Sequence, residues 1–234
     1  MLQLGYIALT VTMILIILYG YNYALTAVNT APSKRKKRVF YVFLGILLWL
    51  TYASVLGLTG VLENFELPPR FPLLLVIPAF IFTGIFLSKN RHSAIIKAIP
   101  KSWPVYYQSF RILVESLFVL TVAEGLLHPE VTFEGYNYDI LFGVTALIIG
   151  FLVFTRNMLS QKIALYWNYL GLAVIAVIIF LFTTTLYFPS FWGSTVPLAP
   201  KGFINFPYVF VPAFLMPSAV FIHVLSIIQL KNNK

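Results

Sequence analysis

The sequence predicts an all-α protein: a polytopic membrane bundle of seven transmembrane helices in a single domain spanning 1–234. Three observations carry that prediction. The chain is 60% hydrophobic and only 10% charged, with mean hydropathy +0.89, whereas a soluble domain holds roughly 25% charged residues. Too few polar side chains are present to coat a water-facing surface, so lipid must replace water around most of it. Seven apolar stretches have about the 20-residue length that a hydrocarbon core requires. Of the 16 basic residues, 13 lie in alternate connections and the tail, with Arg70 and Lys201 on the opposite side and Arg111 within a span, and no acidic residue lies on the basic side.

The stretches are 4–27, 39–61, 71–88, 104–127, 139–155, 163–188 and 208–230. The first lacks a basic leader and its apolar run is long, so it reads as an anchor rather than a cleaved signal peptide. The run SKRKKR behind it resists export. The second stretch carries Trp49 well inside it, away from the interfaces that Trp and Tyr prefer. Trp103 with Tyr106 and Tyr107, and Trp167 between Tyr166 and Tyr169, stand where the fourth and sixth helices should begin. The third stretch opens with FPLLLVIPAF (71–80), and the seventh is introduced by FPYVFVPAF (206–214). If that echo is a repeat, helices 1–3 and 5–7 are parallel copies joined by helix 4, a 3+1+3 layout known in transporters. The fifth stretch is the shortest, with room to begin a turn earlier. Residues 93–101 suit a short amphipathic piece on the inner surface. The loop 189–207, with Pro189, Pro197, Pro200 and Pro207, is long enough to cap the outer face.

Orientation follows from Lys and Arg. Lys34, Arg35, Lys36, Lys37 and Arg38 lie between the first two stretches; Lys89, Arg91, Lys97 and Lys101 between the third and fourth; Arg156 and Lys162 between the fifth and sixth; Lys231 and Lys234 in the tail. Positively charged loops stay in the cytoplasm, so the N-terminus is expected outside and the C-terminus inside. The net charge of +9 is thereby a matter of topology, and no nucleic-acid partner is implied. The run Lys34–Arg38 is also placed to meet anionic lipid headgroups.

The segment 104–139 is not explained by hydropathy. Gln108, Arg111 and Glu115 follow one another at helical spacing and share one face. At ~1.5 Å per residue, Arg111 lies about 10 Å into the fourth helix and Glu115 about 16 Å. An unpaired charge at the bilayer centre costs about 2.5–3.5 kcal/mol on insertion scales, so these side chains are expected to face the bundle interior. Asn168, His223 and Asn22 reach the same depth from helices 6, 7 and 1, which makes Gln108, Arg111, Glu115, Asn168, His223 and Asn22 one candidate ligand or ion pathway. The same groups would serve equally as polar glue between helices. Pro78, Pro212 and Pro217 free carbonyls in helices 3 and 7, as in broken helices that line substrate sites. Glu124, His128, Glu130, Glu134 and Asp139 form an outer acidic edge, with Glu63 and Glu66 on the same side. Carboxylates with one His can hold a divalent cation, but the spacing matches no dedicated metal loop and no metal site is predicted. Asp139 also suits the start of helix 5 as a cap.

No cofactor is predicted. The absence of cysteine excludes disulfides, cysteine-ligated metals and a thiolate nucleophile. Helix 7 has no Lys for a retinal Schiff base, since Lys231 lies beyond its end. His92, His128 and His223 fall at three different levels and form no haem-ligating pair. No HExxH, Walker A or GxSxG pattern occurs. The layout resembles that of SWEET-type sugar carriers, although their proline pattern is not reproduced. PEVTFEGYNYDI (129–140), PPR (68–70) and FRILVE (110–115) resemble a widespread family of bacterial seven-span membrane proteins without known activity. That resemblance implies the bacterial cytoplasmic membrane and supplies no reaction. The functional expectation is a small-solute or ion permease-like protein, more a carrier than an enzyme. Arg111 would then be an anion-side contact, Glu115 its partner or a protonatable switch, and His223 a polar co-ligand. The alternatives are a non-catalytic subunit or assembly partner of a membrane complex, and a membrane sensor reading a ligand at the outer acidic loop.

Overall fold

Long apolar runs with no water to satisfy their backbone fold as helices, because only a helix closes its hydrogen bonds within one segment. The computed structural model describes residues 1–196 and 201–231, and they contain helices and turns but no strand. Pro197, Pro200 and Lys234 lie outside the described residues. Among the described residues nine α-helices are formed: α1 Leu2–Ala27, α2 Pro32–Leu58, α3 Ile77–Asn90, α4 Ala94–Ala98, α5 Ser102–Tyr107, α6 Phe110–Ala123, α7 Asp139–Gly150, α8 Gln161–Tyr187 and α9 Met216–Lys231. Wider π-helical turns extend α3 backward over Pro72–Val76, α7 forward over Phe151–Thr155, and α9 backward over Val211–Leu215. Six of the resulting helices are long and apolar enough to cross a membrane, and Asp139–Thr155 is a shorter apolar helix. The protein is therefore a multi-pass helical membrane bundle.

Helix ends differ from the apolar runs where local chemistry intervenes. α2 begins at Pro32, seven residues before the predicted 39, because proline's fixed φ suits the first helical turn; the basic run thus rides on the helix. α6 stops at Ala123 rather than 127, since Gly125 takes a left-handed φ of 72°. The piece predicted over 93–101 is α4, capped by the Ser93 hydroxyl. Gln229 on α9 holds it by donating to the carbonyls of Ile96 and Ile99 at 2.7 and 2.8 Å.

α9 and the turn before it occupy the centre of the bundle. Val211, Pro212, Ala213, Phe214 and Leu215 are all buried, as are His223, Ser226 and Gln229. α2 is the opposite, with only Leu50, Ala53 and Gly57 buried. Trp49, anomalous in the sequence, has a task here. Pro217 has no N–H to give the carbonyl four residues back, Ala213, and Trp49 Nε1 donates to that oxygen at 2.7 Å. Pro78 leaves Leu74 in the same position, and the Tyr52 hydroxyl approaches that carbonyl at 3.4 Å. The two aromatic rings, three residues apart on α2, lie 5.3 Å from each other. The sequence echo aligns Pro78 with Pro212, but the geometry pairs Pro78 with Pro217, each the second residue of an α-helix behind a π turn.

Candidate functional site

The site forms where the fourth apolar run changes its winding. Between α5 and α6 the backbone tightens into i→i+3 bonds: Arg111 N to Gln108 O at 3.2 Å and Ile112 N to Ser109 O at 3.1 Å. Short 3₁₀ stretches inside a helix mark strain or function. This one presents Tyr107, Gln108 and Arg111 to α9. The Tyr107 hydroxyl donates to Ser218 Oγ at 3.0 Å, and Gln108 Nε2 donates to Ala219 O at 3.0 Å.

Arg111 is 1% exposed and meets three side chains from two other helices. Its Nη1 lies 3.2 Å from His223 Nε2 on α9. Its Nη2 is ion-paired with Asp139 Oδ1 at the start of α7. Its guanidinium stands 5.2 Å from the centre of the Phe142 ring, also on α7. Arginine only donates, so His223 Nε2 must accept and the imidazole proton must sit on Nδ1. That assignment fits the next link, since His223 Nδ1 is 2.8 Å from Asn168 Oδ1 on α8. The Asn168 amide then donates to Ser226 Oγ at 3.0 Å and to Ala164 O at 2.6 Å. Trp167 closes the side of the cluster, its ring 5.4 Å from that of His223 and its Nε1 on Thr145 Oγ1. Two glycines make room: a Cβ on Gly171 would collide with the His223 ring, and one on Gly143 would lie 2.8 Å from the Ile112 backbone nitrogen.

Glu115 is fully buried but is not Arg111's ion-pair partner. Its Oε1 accepts from Asn137 Nδ2 at 2.8 Å, and Oε2 has no hydrogen-bond partner among the described residues. Asn137 arrives from the segment between α6 and α7, which the sequence places in an outer loop. That segment folds back into the bundle. Leu127, Val131, Thr132 and Asn137 are each at most 3% exposed. Asn137 also donates to Val131 O at 3.2 Å and accepts from the Asp139 backbone N–H at 3.0 Å. Irregular backbone at such depth is tolerated where protein rather than lipid surrounds it. Asp139, the first residue of α7, meets Arg111 and does not cap the helix; α7 has no side-chain cap, and Asn137 Oδ1 accepts the first helical N–H, that of Asp139.

Of the residues expected at one depth, Arg111, His223 and Asn168 form one hydrogen-bonded chain, Glu115 is bonded to Asn137, and Gln108 donates to Ala219 O. Asn22 is exposed on α1 and stands outside the cluster. The outer acidic edge divides likewise. Glu124 and Glu134 are exposed, His128 Nδ1 accepts weakly from Glu130 N at 3.4 Å, and Asp139 belongs to the buried cluster. No three His, Asp or Glu side chains converge among the described residues. Sequence reading missed Asn137, Tyr107, Ser218 and Ser226. For Asn137 a signal existed: an Asn two residues before a helix start is a recurrent turn former that bonds its own backbone two residues on.

A cavity of about 60 Å³ opens beside the cluster. Arg111, Asn137 and Asp139 supply its polar lining; the rest is apolar. On α8 the lining includes residues from Ile175 to Leu186, about 16 Å apart along the helix at 1.5 Å per residue. Val76, Val211, Pro212 and Leu215 bring both proline-associated π turns to its wall. Comparison with protein-family models, curated proteins and solved structures finds no match to this chain. The site is therefore read from its own geometry.

Proposed function

We propose that this is a seven-span protein of the bacterial cytoplasmic membrane, N-terminus outside and C-terminus inside, that passes a small solute or ion in the manner of a permease. The basic loops and the shorter helix Asp139–Thr155 support the seventh crossing and the orientation. The exposed run Lys34–Arg38 would rest against anionic headgroups. The two proline-associated π turns would fit related halves flanking the fourth crossing.

One observation carries the functional reading. A cavity between two proline-interrupted helices ends on a buried, partly unsatisfied charged cluster. Interrupted helices, π turns and intramembrane ionisable groups each accompany solute pathways. The test is reconstitution into proteoliposomes, with stopped-flow light scattering used to follow a panel of small amides, polyols, organic anions and alkali salts. At least one should enter faster than in protein-free vesicles. Arg111→Ala and Glu115→Gln should slow it about tenfold or more, the equivalent of one lost buried hydrogen bond. Folded variants with full uptake would sink the reading.

The cluster's bonds are nearly all closed within the chain, which favours a second reading as a braced, non-catalytic subunit of a membrane complex. On that reading the same variants lower stability or co-purification of a partner in mild detergent and alter no flux.

A further inference from the structure

The two ionisable side chains that line the cavity balance one another before any ligand arrives, and Glu115, bonded to Asn137, is not part of the lining. Arg111 contributes one positive charge and Asp139 one negative, joined as an ion pair. His223 faces an arginine N–H and is held as the neutral Nδ1–H form by that donor. Asn137 completes the polar lining with its amide already committed to Glu115 Oε1, Val131 O and the Asp139 N–H.

Two bonding positions are left over. Arg111 Nε, on a side chain 1% exposed that lines the cavity, has no acceptor. Asp139 uses one carboxylate oxygen on Arg111, and its side chain keeps 14% of its surface open, so the second oxygen is an available acceptor. The two members of the ion pair that line the cavity thus offer one unused donor and one unused acceptor, and the rest of the lining apart from Asn137 is apolar. An ion would leave a net charge in a buried, weakly screened place, at a cost several times that of a neutral polar group. A wholly apolar molecule would leave both bonding positions empty. A neutral group that both gives and accepts a hydrogen bond meets every condition.

Volume narrows the class further. An apolar cavity of 150 Å³ accommodates the six carbons of benzene, so about 60 Å³ takes roughly two to three heavy atoms. We propose that this cavity binds a small uncharged solute bearing a hydroxyl on a short apolar body, with that polar group on Arg111 Nε and Asp139 and the body among Val114, Phe118 and Ile175. The proposal rests on reading the cavity as the permease's solute site, and it names the substrate class.

Three probes of three heavy atoms each separate the possibilities: ethanol, formate and ethylammonium. Full-length protein in detergent is unfolded thermally with each. Ethanol should raise the midpoint by about 2–4 °C as it approaches saturation, and the two ions should leave it unchanged. Val114→Phe fills the cavity without altering a polar contact and should abolish the ethanol shift; Ile175→Phe serves if that variant does not fold. No shift with ethanol, an equal shift with either ion, or a shift that survives the filled cavity overturns the proposal. The proteoliposome assay separates it from the permease reading. Ethanol binding without accelerated ethanol entry keeps the site and removes transport. Accelerated entry of an ion without ethanol binding keeps transport and removes this substrate class.

Discussion

Two neighbouring stretches of this chain carry similar numbers of charged and amide groups and treat them in opposite ways. Along α5 and α6, Gln108, Arg111 and Glu115 are at most 1% exposed. Between α6 and α7, Glu124 and Glu134 face outward. What separates them is the supply of partners. Arg111 meets His223, Asp139 and Phe142 from two other helices, whereas Glu134 contributes only its backbone N–H to a turn on Thr132. The boundary does not follow the segment border. Asn137 and Asp139 belong by sequence to the outer acidic edge and its loop and by contact to the first stretch, so the carboxylate that makes a buried arginine tolerable comes from the first residue of α7, where the connection ends.

The largest expected effect tests that border. Asp139→Asn leaves Arg111 buried without its counter-charge and should cost about 3–5 kcal/mol; Glu134→Gln, five residues away, should leave the unfolding midpoint in place. Denaturant or thermal unfolding in detergent makes the comparison. If both substitutions behave alike, Asp139 is an outer-edge residue after all and the border lies where the sequence alone would put it. Next in size is Gly171→Ala, whose methyl enters the His223 ring. Overpacking of that kind costs about 1–3 kcal/mol, and adding His223→Ala should restore part of the loss, because the two positions share one space.

Asn137→Ala sharpens the comparison from the other side. It removes the amide that ties the folded-back segment to Glu115 and to its own carbonyl at Val131. The cost should be about 1–3 kcal/mol, and its distribution matters more than its size. Hydrogen exchange should rise across 124–138 and stay unchanged at the α8–α9 contact around Asn168 and Ser226. Uniform loosening would mean that the segment and the core are one cooperative unit.

Most of the helical layout was legible because a membrane-crossing helix is a one-dimensional signal. Apolar length locates it, and rise per residue gives the depth of each polar group. Depth placed Arg111, Asn168 and His223 at one level, and they do meet. Azimuth has no such signal in long apolar helices whose faces differ little, which is why Asn22 shared the level and not the cluster. The inward course of part of 124–138 lacks a sequence signal for a related reason. Gly125, Pro129 and Gly135 announce turns, and turns are expected in water, yet Leu127 and Val131 take them inward. Asp139 as Arg111's partner could be found only by knowing that α7 starts deep, a property of the tertiary fold.

The smallest effect concerns a second pair of regions, the two proline-interrupted helix starts. Ala213 O receives a 2.7 Å bond from Trp49, while Leu74 O has only the 3.4 Å approach of Tyr52. Trp49→Phe keeps most of the ring and removes the N–H, so it should cost about 1 kcal/mol; Tyr52→Phe should cost measurably less. The cause can be isolated because Pro217→Ala returns the missing backbone N–H four residues after Ala213. In that background the carbonyl has a second possible donor, and the penalty of Trp49→Phe should shrink. An undiminished penalty would show that Trp49 acts through packing against Tyr52 and the π turn, and that the freed carbonyl is incidental to it.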